Sequence, residues 1–110
     1  MNMKKYILLA SILVMALFSF SVVADDYLDQ AIQRAEAAVR ANDGKILILY
    51  ATDSKVHATD AKNDKTIDIK HVDEGIKYLD DAMQKGKDEN IEAAKKAAAE
   101  AIKHFKQARK

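Results

Sequence analysis

The chain has 110 residues, of which 18 are basic and 17 are acidic, with no cysteine, no proline and three glycines. The lack of cysteine excludes disulfides, thiolate zinc sites and iron–sulfur clusters. The balanced charge, without a sustained basic run, argues against nucleic-acid binding. So short a chain forms one domain with a modest core, and its stability must come from long, regular helices.

Residues 1–24 have the pattern of a secretory signal peptide. Two lysines precede an uncharged apolar run, which ends in the small residues Val22-Val23-Ala24 before Asp25. We therefore predict cleavage after Ala24, which leaves residues 25–110 as an exported domain that does not bind a membrane. A retained membrane anchor is the alternative, because about 18 apolar residues can just span a bilayer.

The remaining sequence contains the pattern of a helical hairpin, and this pattern occurs twice. An apolar pattern with spacings of 4, 3 and 4 occurs first as Leu28, Ile32, Ala35 and Val39, and again as Val72, Ile76, Leu79 and Met83. Such a stripe is typical of an amphipathic helix. Each copy ends at a helix breaker, Asn42-Asp43-Gly44 in the first and Gly86 in the second, where we expect a left-handed cap.

A second helix is predicted after each breaker. In residues 88–110, which Asp88 or Asn90 can cap, apolar side chains recur every three or four positions: Ile91, Ala94, Ala98, Ala101, Phe105 and Ala108. Residues 45–63 are less periodic, and the β-branched runs KILILY and TIDIKHV leave strands as an alternative. We favour a helix because two isolated strands would have nothing to pair with.

The predicted fold is therefore all-α. Four helices joined by short turns form an antiparallel up-down-up-down four-helix bundle built from a duplicated helical hairpin. The predicted helices cover residues 26–42, 45–63, 68–85 and 89–109.

Two segments carry a resemblance to a known family. The sequence HVDEGIKYLDDAMQKGK, followed by AEAIKHF, resembles the small periplasmic metal-binding proteins of bacteria (SmbP-like), which are exported four-helix bundles rich in histidine at heptad spacing. The resemblance covers essentially all of residues 25–110, and it is strongest over 71–110 and weakest over 45–67. It implies a periplasmic location and the binding of divalent transition metals, copper and nickel among them, by histidine with carboxylate help.

Three histidines, His57, His71 and His104, stand where family histidines would stand. Most other positions in that column are occupied by different residues, namely Tyr27, Arg34, Ala41, Tyr50, Tyr78, Lys85 and Ala97. Arginine and lysine cannot ligate a cation at neutral pH. The resemblance is therefore to a divergent member in which most of the family histidines are replaced.

The topology of the predicted bundle brings the three histidines to one end. The C-terminal ends of helices 2 and 4 share that end with the N-terminal end of helix 3. Each histidine also has a carboxylate three or four residues away on its own helix: Asp53 for His57, Glu74 for His71 and Glu100 for His104. The alternative is that these are ordinary solvated pairs, and helices 2 and 4 are diagonal, so His57 and His104 can face different sides.

The sequence predicts a non-enzymatic exported protein that buffers or sequesters a divalent transition metal. Imidazole with carboxylate suits copper or nickel, with zinc as a further candidate. The predicted ligands are His57, His71 and His104, supported by Asp53, Glu74 and Glu100.

The competing interpretation is a metal-free envelope interaction or stress-related module that kept the fold. Four consecutive apolar residues, Ile46-Leu47-Ile48-Leu49, cannot all face one core. Weak self-association through helix 2 is therefore a second expectation.

Overall fold

The computed structural model describes residues 27–109, and these fold into helices α1 (Tyr27–Arg40), α2 (Gly44–Ala61), α3 (Ile69–Lys87) and α4 (Ile91–Ala108). This part of the chain contains no β-strand, so the helical interpretation of residues 45–63 is confirmed. Within it, no helix is long and apolar enough to cross a membrane. The predicted signal peptide, residues 1–24, lies outside the described residues.

The four helices form a bundle in which α1 and α3 each pack against both α2 and α4. Contacts between helix ends fix the helix directions. The N–H of Asp68, just before α3, donates to the carbonyl of Ala108 at the end of α4 (2.9 Å). At the other end, Nζ of Lys95 in the first turns of α4 donates to Oδ1 of Asn42 after α1 (3.3 Å). In both of these pairs, α3 with α4 and α1 with α4, the two helices therefore run in opposite directions.

Alanine fills much of the core, and all the alanines of the stripe predicted for α4 are buried. The largest fully buried apolar side chains are Leu28, Leu47, Val72, Leu79 and Phe105. Such small side chains let helix axes approach at the short end of the usual range of about 8–10 Å. The packing between helices is consequently sensitive to single methyl groups.

The end of α3 corrects the prediction that a left-handed glycine caps it. Gly86 lies inside the helix, and the residue with positive φ is Glu89 (φ 60°). The N–H of Glu89 donates to the carbonyl of Gly86 (3.1 Å), and the N–H of Asn90 donates to the carbonyl of Lys85 (2.9 Å). These two bonds make a Schellman motif in which glutamate holds the position that usually carries glycine.

Gly44 and Gly86 allow α2 and α3 to pack closely against each other, and neither residue forms the turn that the sequence predicted. A Cβ atom on residue 44 would lie 2.6 Å from the carbonyl oxygen of Gly86, and one on residue 86 would lie 3.1 Å from Cγ1 of Ile48. The start of α2 therefore meets the end of α3 through backbone atoms, and Asp43 caps α2 by accepting from the N–H of Lys45 (2.8 Å).

The left-handed glutamate gives a stability prediction. Replacing Glu89→Gly removes the steric cost of the left-handed backbone, and part of that gain is offset by the greater freedom of glycine in the unfolded chain. We expect the free energy of unfolding to rise by about 0.5–1 kcal/mol, measured by urea denaturation. The matched control Glu92→Gly, in the first turn of α4, should lower it by about 1 kcal/mol; destabilisation by both changes would contradict the proposed cap.

Candidate metal centre

The loop before α3 is held by short-range hydrogen bonds. The carboxylate of Asp64 accepts from the N–H (2.9 Å) and from the hydroxyl (2.7 Å) of Thr66. These bonds favour the charged form and hold the pKa of Asp64 below its usual value of 3.8. Because the folded-state pKa is lowered, the stabilisation is present above pH 3.8 and is lost as the pH falls through the folded-state pKa.

The same loop leads into the first turn of α3, which carries the first histidine of the candidate site, His71. Asp68 caps α3 by accepting from the N–H of Lys70 (3.1 Å), and its own N–H donates to the carbonyl of Ala108. The first turn of α3, which carries His71, is thereby tied to the last turn of α4. His104 lies one turn before that end of α4.

Gly75 and Phe105 set the spacing between α3 and α4. The ring of Phe105 is fully buried, and a Cβ atom on residue 75 would lie 2.6 Å from its Cδ1 atom. Only glycine leaves room for the ring at this point. Because Glu74 precedes Gly75 and His104 precedes Phe105, this core contact brings the two polar side chains together at the edge of the interface.

His71, Glu74 and His104 are the group within the described residues whose arrangement could hold a metal ion, with ligand atoms all within 4.8 Å of one another. Nδ1 of His104 lies 3.0 Å from Oε2 of Glu74, and Nδ1 of His71 lies 3.9 Å from the same oxygen. One carboxylate oxygen therefore faces imidazole nitrogens from two helices.

Both imidazoles place a buried nitrogen next to Glu74. The Nδ1 atoms of His71 and His104 are buried, and the nearest carboxylate oxygen to each is Oε2 of Glu74. With bonds of about 2.0–2.1 Å, tetrahedral metal ligands lie roughly 3.3–3.4 Å apart, which falls between the observed 3.0 and 3.9 Å. The donors and their spacing therefore fit a metal ion.

Two aromatic contacts hold the ring of His104. It stacks on Tyr78, with ring centroids 5.3 Å apart and planes 13° apart, and it also faces His71 at 5.8 Å. The side chains of His104, His71 and Glu74 remain 22%, 33% and 36% exposed. A metal at this site would therefore be reachable from solvent, while its ligands are held by packing.

Asp68 is a neighbour of the site that the sequence interpretation missed. Its Oδ2 atom lies 3.8 Å from Nε2 of His71, the ring nitrogen that does not face Glu74. Asp68 therefore adds a negative charge on the side of the ring opposite Glu74, at a distance longer than a hydrogen bond. The signal was present in the sequence, because an aspartate at an N-cap lies on the same helix end as a residue three positions later.

The structure does not bring the other predicted ligands into this group. Nε2 of His57 lies 3.5 Å from Oδ1 of Asp53, but Asp53 also pairs with Nε of Arg34 at 2.8 Å. His57 has a buried Nδ1 without a hydrogen-bond partner in the described residues, yet no second histidine joins it there. Glu100 pairs with Lys103 at 3.5 Å.

Fold and site together define a class, a small helical bundle with a histidine–carboxylate group suited to a metal ion. The sequence comparison supplies the family. Residues 3–108 match the family described as Small metal-binding protein, and the chain belongs to that family. The resemblance seen in the sequence is thus confirmed. None of the curated proteins matches the chain.

The Gly75–Phe105 contact can be tested by its effect on the stability of the fold. Gly75→Ala should lower the free energy of unfolding by about 1–3 kcal/mol, because the added methyl group overpacks the interface. In a Phe105→Leu background, where the ring is gone, the same change should cost clearly less. Equal costs in both backgrounds, measured by urea denaturation, would show that the ring is not the obstacle.

Proposed function

We propose that this protein binds a divalent transition metal ion through His71, Glu74 and His104. The observation that supports it is the convergence of two buried imidazole nitrogens, from two helices, on one carboxylate oxygen. Membership of a metal-binding family agrees with this assignment. In this proposal His57, with Asp53, is at most a weaker second point of attachment, and Glu100 plays no part.

The chemistry of the ligand atoms narrows the choice of metal ion. Two imidazole nitrogens and one carboxylate oxygen, without thiolate, suit Cu²⁺ and Ni²⁺, and they also suit Zn²⁺. Following the general affinity order of divalent first-row metals, copper would bind most tightly. Imidazole ligates only in its neutral form, and histidine side chains generally protonate near pH 6.5, so protons compete with the metal below about pH 6.

The physiological role that fits best is non-enzymatic buffering or sequestration in the periplasm, after export and cleavage behind Ala24. The partly exposed ligands support exchange of the ion with solvent. The core supports the same role, because it is built from apolar side chains of all four helices and includes none of the three ligands. Such a protein can take up and release metal without unfolding.

The site is tested by metal titration of single variants. We expect His71→Ala and His104→Ala each to weaken Cu²⁺ binding by at least about tenfold at pH 7.5, since each removes a direct ligand. Isothermal titration calorimetry, with circular dichroism to show an intact bundle, measures the change. His57→Ala is the matched control and should leave the first binding event unaltered. Equal losses in all three variants would reject the three-residue site.

A second candidate role concerns the outer face of α2. Leu47 is fully buried, but Ile46, Leu49 and Val56 are 43%, 63% and 54% exposed. These three side chains share one side of the helix at spacings of 3 and 7. We propose that this face supports weak self-association, which would serve the alternative function of an envelope interaction module and is compatible with metal binding.

Self-association through α2 predicts a concentration-dependent mass. Light scattering after size-exclusion chromatography at rising protein concentration should show a shift toward the dimer, because association buries these apolar side chains. Leu49→Glu should abolish the shift, since burying a charge at the interface is costly. Gln107→Glu, which places a charge on an exposed part of α4 instead of α2, is the control; a strict monomer at every concentration would exclude this role.

A further inference from the structure

An open groove adjoins the three metal-ligating residues. It has a volume of about 380 Å³ and is lined by Glu74, Lys77, Tyr78, Asp81 and His104. Two of these residues belong to the proposed metal site, so a molecule in the groove would lie directly beside the ion. Sites for small molecules span roughly 300–1,000 Å³, which makes this groove large enough for a small metabolite and too small for a large cofactor.

The proposed site leaves part of the metal's coordination sphere open. Three side chains supply ligand atoms, whereas zinc takes at least four ligands and copper or nickel takes four or more. The remaining positions must be filled by water or by another molecule. The groove is the place from which a second molecule can reach the ion.

Lys77 is the cation in this groove that has no carboxylate partner. Among the described residues no ion pair involves it, although its neighbours at four-residue spacing, Asp73 and Asp81, are both paired. Asp73 pairs with Lys62 at 2.7 Å, and Asp81 pairs with Lys85 at 2.9 Å. The ammonium of Lys77 is therefore available to an incoming anion.

The charge of the groove depends on the metal. Asp81 and Lys85 cancel each other, and Glu74 balances Lys77, so the lining is close to neutral without an ion. A bound divalent cation would give it two net positive charges. The groove would then attract an anion only when metal is present.

We propose that the metal at this site is bound together with a small dicarboxylate, one carboxylate ligating the ion and the other pairing with Lys77. This inference rests on the proposed metal site and names its second ligand. The species captured in solution would then include metal–carboxylate chelates as well as the free ion. Lys77 would act as a specificity determinant that does not touch the metal.

The test uses succinate as the dicarboxylate and Cu²⁺ as the metal, because the two carboxylates of succinate are too far apart to close a six-membered chelate ring on one ion. Succinate is titrated calorimetrically into protein that already holds one equivalent of Cu²⁺, and separately into metal-free protein. We expect succinate to bind only the Cu²⁺-loaded form, and Lys77→Gln to weaken that binding by about tenfold or more while Cu²⁺ affinity is retained. Lys96→Gln, an exposed lysine on α4 outside the groove, is the matched control.

Three results would overturn the inference. Succinate could bind wild type and Lys77→Gln equally, it could bind without metal, or it could strip Cu²⁺ from the protein, which the copper absorption spectrum would reveal. Acetate, with a single carboxylate, should bind the loaded protein without sensitivity to Lys77→Gln. Failure of the metal site itself would be seen earlier, in the titration with Cu²⁺ alone, so the two failures are distinguishable.

Discussion

The contact between Gly75 and the ring of Phe105 is the constraint on which the candidate site depends. It lies in the core, where a single added methyl group would collide with a buried aromatic ring. The residue before each partner, Glu74 and His104, points to the edge of the same interface. The spacing of these candidate ligands is therefore imposed by apolar packing, and it does not require the two side chains to attract each other.

This arrangement separates folding from metal binding. The helices bury alanine, leucine and one phenylalanine on their inner faces, and the three ligands lie outside that core. Small metal domains such as zinc fingers are unfolded without their ion, but this bundle has a core of its own. A metal would add stability by mass action, in proportion to the logarithm of its concentration above the dissociation constant.

The sequence was sufficient to predict the fold, but it predicted only part of the candidate site. Helical periodicity and the duplicated pattern predicted four helices and their directions, because local propensity and apolar spacing agree along the chain. The bridging role of Glu74 could not be predicted, since it depends on the register between α3 and α4, and that register is set by Gly75 and Phe105. The cap of α3 was misassigned for a similar reason, because Gly86 lies inside the helix, where it packs closely against Gly44 and Ile48.

The surroundings of His57 differ from those of the candidate site. Arg34 stands at a position that the family resemblance assigns to histidine, and its guanidinium now pairs with Asp53, the carboxylate nearest to His57. A fixed cation there opposes a metal ion both by occupying the carboxylate and by charge repulsion. Lys85 is paired with Asp81 in the same way. At the end of the bundle where α3 starts and α4 ends, by contrast, no arginine or lysine pairs with Glu74 among the described residues. The contacts of Arg34 and Lys85 therefore favour a single candidate site, in place of the many sites that a histidine-rich column would offer.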